Sequence, residues 1–332
     1  MGLCNSQPEA HPRAKADGRA TFALGLITDL DTASREVGPD GAVDWKAYFQ
    51  KALLVRDAQG RFSVEWKEAV KVTTTLNEDG RGFELSELAW FQNRLLAVDD
   101  RTGTVFALDN FALDAAGPLT TTPLFAIRAG DGNEAKGQKN EWATVKDGHL
   151  HVGSHGTEYA PGGVVEHEWH KWVAVVPALD GASIEHVDWA SRFQTVRLAL
   201  GCPAPGYVTH EAIEWSAVHS KWFLLPRRVS TEPFDEAADA TKGSNKLVLA
   251  SPDFASVEVR SLGALVPERG FASFKFVPGS NDTLIAALKS VEVGDTQASF
   301  LCVFDVATGC VLLPDTPVPG AFKFEGLAFL QP

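Results

Sequence analysis

Six positions in this chain carry an acid or a serine near the start of a short β-rich run: Ser86 with Glu87, Glu141, Glu211, Ser273 and Glu325. Each alone reads as a solvated strand-end residue. If the runs are equivalent strands of one repeat, the six converge. Like charges brought together in a channel repel and are costly to desolvate unless a cation neutralises them. Oxygen-only ligation selects a hard ion, and a wide ring of carboxylates and hydroxyls suits Ca²⁺ better than Mg²⁺. A second set of polar residues follows the next run in each unit: Asp99-Asp100-Arg101, Ser154 to Glu158, Arg227-Arg228, Lys289-Ser290, and Asp29-Leu30-Asp31-Thr32 with Arg35. Acids, cations and a metal at one rim fit a phosphate or phosphoanhydride whose charge the basic residues neutralise, with a carboxylate to position water. Trp142, next to Glu141, is the tryptophan placed to stack on a base.

The elements that must position these residues are strands. Residues 84–91, 94–98, 104–108 and 124–128 alternate with turn residues; four antiparallel strands in about 45 residues make one propeller blade. The layout recurs from Glu141, from His210 and from Phe271, and a fifth unit opens at Phe322 and stops at the chain end. Its missing strands are supplied by 21–27, 43–55 and 62–72. Pairing the last strand with the first closes the ring and removes open edges. The expectation is an all-β, five-bladed β-propeller over residues 20–332, ring closed by pairing N-terminal strands with the C-terminal strand, after a tail over residues 1–19.

Composition narrows the partners. With 30 Lys+Arg against 43 Asp+Glu the net charge is −13, which argues against nucleic acid or an anionic membrane face as the main partner. A 45% hydrophobic chain with 9 Trp and 20 Phe has ample material for a core. Cys4, Cys202, Cys302 and Cys310 form no C-x-x-C pair, which disfavours zinc and a disulfide framework and leaves room for one bridge. His167-Glu168-Trp169-His170 has the wrong spacing for a metalloprotease helix and reads as a surface turn. Met1 to Ser6 match the N-myristoylation pattern, with Cys4 placed for palmitoylation, so the expectations include membrane attachment through an acylated N-terminus. Assembly as a homodimer stays open.

These residues resemble the soluble calcium-activated nucleotidase (apyrase) family of five-bladed propellers. The matching stretches are 28–35, 80–88, 98–103, 141–143, 205–211, 225–228, 251–254, 271–276 and 323–326, together spanning nearly the whole chain. The resemblance implies Ca²⁺-dependent hydrolysis of nucleoside diphosphates such as UDP and GDP, with triphosphates also accepted. It carries the calcium ligands onto Ser86, Glu87, Glu141, Glu211, Ser273 and Glu325. It also implies active-site acids at Asp29 and Asp31, with Asp31 orienting the attacking water and Asp100 beside them. Phosphate contacts are expected from Arg35, Arg101, Arg227, Arg228 and Lys275. The chain departs from the family pattern at Glu87, where Asp is frequent, and at Ala272, where a second Ser is common. Family members enter the secretory pathway by a signal or anchor helix. The sequence shows neither, which makes a cytosolic or lipid-anchored protein the expectation. The competing readings are a calcium-binding propeller scaffold without turnover, and a propeller hydrolase for another phosphorylated or lactone substrate.

Overall fold

The computed structural model describes residues 18–115, 117–294 and 296–331. The myristoylation and palmitoylation positions, Gly2 and Cys4, lie outside the described residues.

Five small antiparallel sheets form the chain, in the order the turn signals predict. Blade 1 is Leu85–Phe91, Arg94–Asp99, Thr104–Asp109 and Thr120–Ala126. Blade 2 is Trp142–Lys146, His149–Gly153, Trp172–Val176 and Glu185–Asp188. Blade 3 is Tyr207–Ser216, Lys221–Ser230, Lys246–Ala250 and Val257–Ser261. Blade 4 is Gly270–Phe276, Leu284–Val293, Thr296–Asp305 and Val311–Pro317. The first strand of each blade contacts the first strands of both neighbours, so these strands line the axis.

Blade 5 is built from both chain ends. Phe324–Phe329 is innermost and pairs with Ala20–Thr28, which pairs with Val43–Arg56 and then Phe62–Thr74. The register sets Leu24 opposite Phe329 and Ile27 opposite Gly326. Gly326 is required by close approach: a Cβ there would stand 2.7 Å from the Ile27 side chain and 2.9 Å from the Glu87 backbone. A real side chain would push the closing strand away from blade 1.

The core is divided among the blade interfaces. Five buried apolar clusters each join two neighbouring blades: Leu288 with Leu327, Ile27 with Leu88, Leu96 with Leu150, Trp142 with Ile213, and Phe223 with Phe274. Alternating strand positions feed both faces of every sheet, so the inner strands are buried on both sides and read as nearly continuous apolar runs, whereas outer strands such as Thr120–Ala126 and Val257–Ser261 are mostly exposed or half-buried. The helix Ala190–Ala199 adds Phe193 and Val196 to the cluster between blades 2 and 3.

One strand lies elsewhere than expected. The fourth strand of blade 1 runs from Thr120 to Ala126, not from 124 to 128. Ile127 and Ala129 turn their backbone bonds to Gly103, Gln138 and Lys136 instead. Gly103 lies in the loop between the second and third strands of blade 1 and Lys136 and Gln138 in the connection to blade 2, partners that a single-strand reading does not supply. Cys202, Cys302 and Cys310 are free thiols, with Cys310 exposed.

Candidate active site

The inner strands deliver their polar residues through register irregularities. Pairing skips from Leu85 to Glu87, from His210 to Ala212, from Phe271 to Ser273 and across Gly326 to Phe324. The residues left over are Ser86, Glu211, Ala272 and Glu325. A bulge re-aims a side chain without ending the sheet, and here it turns ligand-type residues toward the axis. Blade 2 reaches the same end differently: Glu141 stands just before its strand and donates its N–H to Gly153 O at 2.8 Å.

One carboxylate oxygen from each of Glu141, Glu211 and Glu325 lies within 4.8 Å of the other two. Nearby Ser86 is buried, and its Oγ has no hydrogen-bond partner. Arg227 reaches Glu211 and Glu292 as well as Glu325, the last at 2.9 Å. Burial, reinforced by neighbouring acids, raises Glu141 to about 8 and Glu211 to about 7, and holds Glu325 well above the usual carboxylate range. Three convergent acids that cannot all ionise without help, beside an orphaned hydroxyl, are what an oxygen-ligated divalent ion requires. The residues therefore fit Ca²⁺.

Glu87 and Ser273 stand together but are committed differently. Ser273 Oγ donates to the Glu87 carboxylate at 2.9 Å, Leu88 N–H donates at 2.8 Å and Leu327 N–H at 3.3 Å. Lys275 Nζ lies 3.2 Å from Glu87 and also binds Glu214. The structure thus corrects the expectation for Lys275. It sits inside the channel between two buried acids, two residues further along its strand than Ser273, and not at the phosphate rim.

A second group of acids adjoins the axial three. Oxygens of Asp29, Glu84 and Asp100 lie within 4.8 Å of one another. Two lysines connect the groups: Lys139 binds Asp100 at 2.6 Å and also Glu141, while Lys323 binds Asp29 at 2.8 Å and approaches Glu325 at 3.5 Å. Burial works to raise Asp29, yet the Lys323 charge and the Asp31 N–H at 2.7 Å outweigh it and hold Asp29 below its ordinary value. Asp31 is shifted the other way, first by burial and then by the Asp29 charge, with Lys323 at 2.9 Å opposing. Its backbone takes a left-handed φ of 48°, an uncommon conformation for a non-glycine residue that clusters at functional sites. Asp29 is buried whereas the Asp31 side chain is 38% exposed.

The basic residues sort by depth. Arg228 is buried, pairs through Nε with Asp239 at 3.4 Å and leaves Nη1 without a partner. Arg101 Nε is 3.5 Å from Glu78. Arg35 is exposed on the short strand Arg35–Val37, opposite Trp45.

Trp142 is a correction. It is fully buried between blades 2 and 3, its ring 5.4 Å from Trp189, and its Nε1 donates to Ser154 O at 3.0 Å. No face is left for a base; Gly153, with no Cβ, makes room for the indole. An exposed aromatic surface lies on the following loop, where Tyr159 stacks on His167 at 4.9 Å and His167 on Trp169 at 3.9 Å. Tyr159 is 47% exposed. Sequence reasoning missed this ladder, and also Glu84, Lys139, Glu292 and Lys323. Glu84 and Lys323 lie inside motifs already singled out, and Lys139 is two residues from Glu141, so local signals existed. Glu292 had none, because the strand bearing it runs past its expected end to Val293.

The Apyrase family model matches residues 30–330. Soluble calcium-activated nucleotidase 1 of Rattus norvegicus is 39% identical over 322 residues, covering 96% of this chain and 76% of the relative. Apyrase apy-1 of Caenorhabditis elegans is 38% identical over 320 residues, 94% of this chain and 85% of the relative. The Apyrase of Cimex lectularius is 34% identical over 317 residues, with 94% and 83% covered. The chain belongs to the apyrase family.

Proposed function

We propose that the protein is a calcium-dependent nucleotidase that removes the terminal phosphate of nucleoside diphosphates of the UDP and GDP kind, and of triphosphates more slowly. The observation that carries this reading is the junction of two carboxylate groups, Glu141/Glu211/Glu325 and Asp29/Glu84/Asp100, through Lys139 and Lys323. One group is suited to an ion and the other to water, and they share cations that can turn to a phosphate.

Calcium would be held by Glu141, Glu211 and Glu325 with Ser86, while Glu87 and Ser273, bonded to each other, stand behind that ring and support it. When bound, the ion supplies positive charge to phosphate oxygens and so lowers the cost of charge build-up in transfer. The chain's own residues do the rest. Asp31, the exposed member of the rim acids, accepts the proton of the attacking water and aims it. Asp29, kept ionised by Lys323, fixes the Asp31 backbone through its N–H. Asp100, held by Lys139, lines the water side. Arg227, the free Nη1 of Arg228, Arg101 and Arg35 at the edge offer donors to phosphate oxygens, where positioning and charge neutralisation provide most of the rate. Tyr159 offers the exposed ring for the base.

The test is phosphate release from UDP, GDP, ADP and ATP with Ca²⁺, Mg²⁺ or chelator. Release that needs Ca²⁺ and is fastest with diphosphates is expected. No calcium-dependent release from any nucleotide would refute the reading.

A further inference from the structure

Glu292 holds two of the site's cations at once. Its Oε2 pairs with Nη2 of Arg227, and its Oε1 lies 3.2 Å from Nζ of Lys323. Among the described residues this carboxylate has no other ion-pair or hydrogen-bond partner. The side chains of both cations are 6% exposed, that of Glu292 34%. Of the acids on these two cations, Glu211, Glu325 and Asp29 are largely buried, and Glu292 and Asp31 are the open ones.

Neither cation depends on Glu292 for its place. Arg227 gives Nη1 to Glu211 and to Glu325, the latter at 2.9 Å, so Nη2 alone is committed to Glu292. Lys323 keeps Asp29 at 2.8 Å and Asp31 at 2.9 Å. If Glu292 leaves, each cation stays fixed by two other acids and gains a free donor, which is what a charged oxygen ligand needs. The vacated place adjoins Asp31 through their shared Lys323.

The segment that carries Glu292 is built to give way. Pairing with the inner strand of blade 4 ends at Gly270 opposite Ser290. Beyond it, Val291 still pairs with Ala298, Glu292 with Gln297 and Val293 with Thr296. The fourth strand does not cover these pairs either, since its ladder ends at Phe300 with Pro317. Glu292 therefore rides on a two-stranded ribbon, an arrangement of marginal stability by itself, which bends without opening the blade.

We propose that Glu292 is an internal counter-anion that takes the terminal phosphate's place in the empty site, yields it to substrate and returns to displace product phosphate. The inference rests on the nucleotidase reading, in which Arg227 and Lys323 serve the phosphate. A phosphate group offers more oxygens and more charge than one carboxylate, and a nucleotide adds contacts elsewhere, so substrate wins the exchange. Free phosphate lacks those added contacts and is the weaker competitor. Affinity for either is lowered by the fraction of molecules in which Glu292 is seated.

The test is calorimetric titration of the full chain with inorganic phosphate, at calcium low enough to keep its phosphate dissolved, together with phosphate inhibition of UDP turnover. Glu292→Gln and Glu292→Ala should bind phosphate about tenfold tighter, with lower KM and stronger inhibition by phosphate. Glu258→Gln, which neutralises an exposed acid paired with Arg260 on the outer strand of blade 3, should change none of these. A residue that merely positions the cations would do the reverse, weakening phosphate binding and raising KM. Weakened or unchanged phosphate binding in both Glu292 variants, equal tightening in Glu258→Gln, or no phosphate binding by any chain would each overturn the inference. Tighter phosphate binding in a chain that hydrolyses no nucleotide would keep the counter-anion and refute the nucleotidase reading. Calcium-dependent turnover with phosphate affinity indifferent to Glu292 would do the opposite.

Discussion

Two layers of acid occupy one channel, and they behave oppositely. In the outer layer Glu141, Glu211 and Glu325 converge beside the unpartnered hydroxyl of Ser86. In the inner layer Glu87 and Glu214 are fully engaged: Lys275 lies between them, Thr144 Oγ1 donates to Glu214 at 2.5 Å, and Ser273 donates to Glu87. Glu211 and Glu214 are on the same strand, three residues apart. Residue type and burial are thus nearly matched; the inner acids are engaged by backbone N–H groups, hydroxyls and one lysine between them, whereas the outer acids are paired with Arg227, Lys139 and Lys323 and the Ser86 hydroxyl has no partner. Burial raises both layers, Glu87 to about 8 and Glu141 likewise. Both layers meet part of that cost with internal cations, Lys275 in the inner one and Arg227 with Lys139 in the outer one, and the outer layer's cations reach in from the rim.

The comparison breaks most visibly in the outer layer. Glu325→Gln or Glu211→Gln should cut turnover by about 100-fold or more, the scale of deleting one preorganised electrostatic element, and should remove the calcium response of the melting temperature. Turnover under saturating Ca²⁺ and differential scanning fluorimetry read the two effects. Asp31→Asn should lower kcat by about 10²–10⁴-fold, as loss of a general base does, with calcium affinity preserved; a variant with full activity would move the base to another acid.

The inner layer should respond in stability. Lys275→Met leaves Glu87 and Glu214 buried without their cation, costing about 3–5 kcal/mol, and the loss should persist in saturating Ca²⁺. Chemical denaturation with and without Ca²⁺ measures it. An equal loss confined to calcium-free protein would place Lys275 in the outer layer after all.

The smallest effect is on pH. Glu141, Glu211 and Glu325 have folded-state pKa values raised above the unfolded value, so in this range the native state binds more protons than the unfolded chain. Stability of the ion-free protein should then fall as pH rises from about 6.5 to 8. The depressed histidines His155, His170 and His210 act below that window, because only the unfolded chain protonates there. Calcium should flatten the fall by favouring the ionised carboxylates. A melting temperature that climbs over this range without calcium would contradict the assignment.

The propeller was legible because its signal is repetitive: alternating strands, turn residues and an incomplete last unit that demands the first strands. The ligand-type residues were legible for the same reason, since Glu141, Glu211 and Glu325 hold equivalent places in the repeat. Their division into two layers was not. It depends on one-residue bulges at Ser86, Glu211, Ala272 and Glu325, which shift a side chain without changing composition. Trp142 and Lys275 failed for one reason. Adjacency to a site residue in sequence fixes neither the face, as for Trp142 next to Glu141, nor the depth in the channel, as for Lys275 two positions beyond Ser273. Glu292 and the histidine loop owe their places to hairpin length and loop bonding, for which periodicity carries no information.

The most direct test of the central claim is the melting temperature of the unsubstituted protein in saturating Ca²⁺ against chelator. An ion held by the outer layer at about 100 times its Kd contributes roughly 2.7 kcal/mol, which for a chain of this size raises the melting temperature by about 4 °C. An unchanged melting temperature would mean that Glu141, Glu211 and Glu325 do not hold the ion.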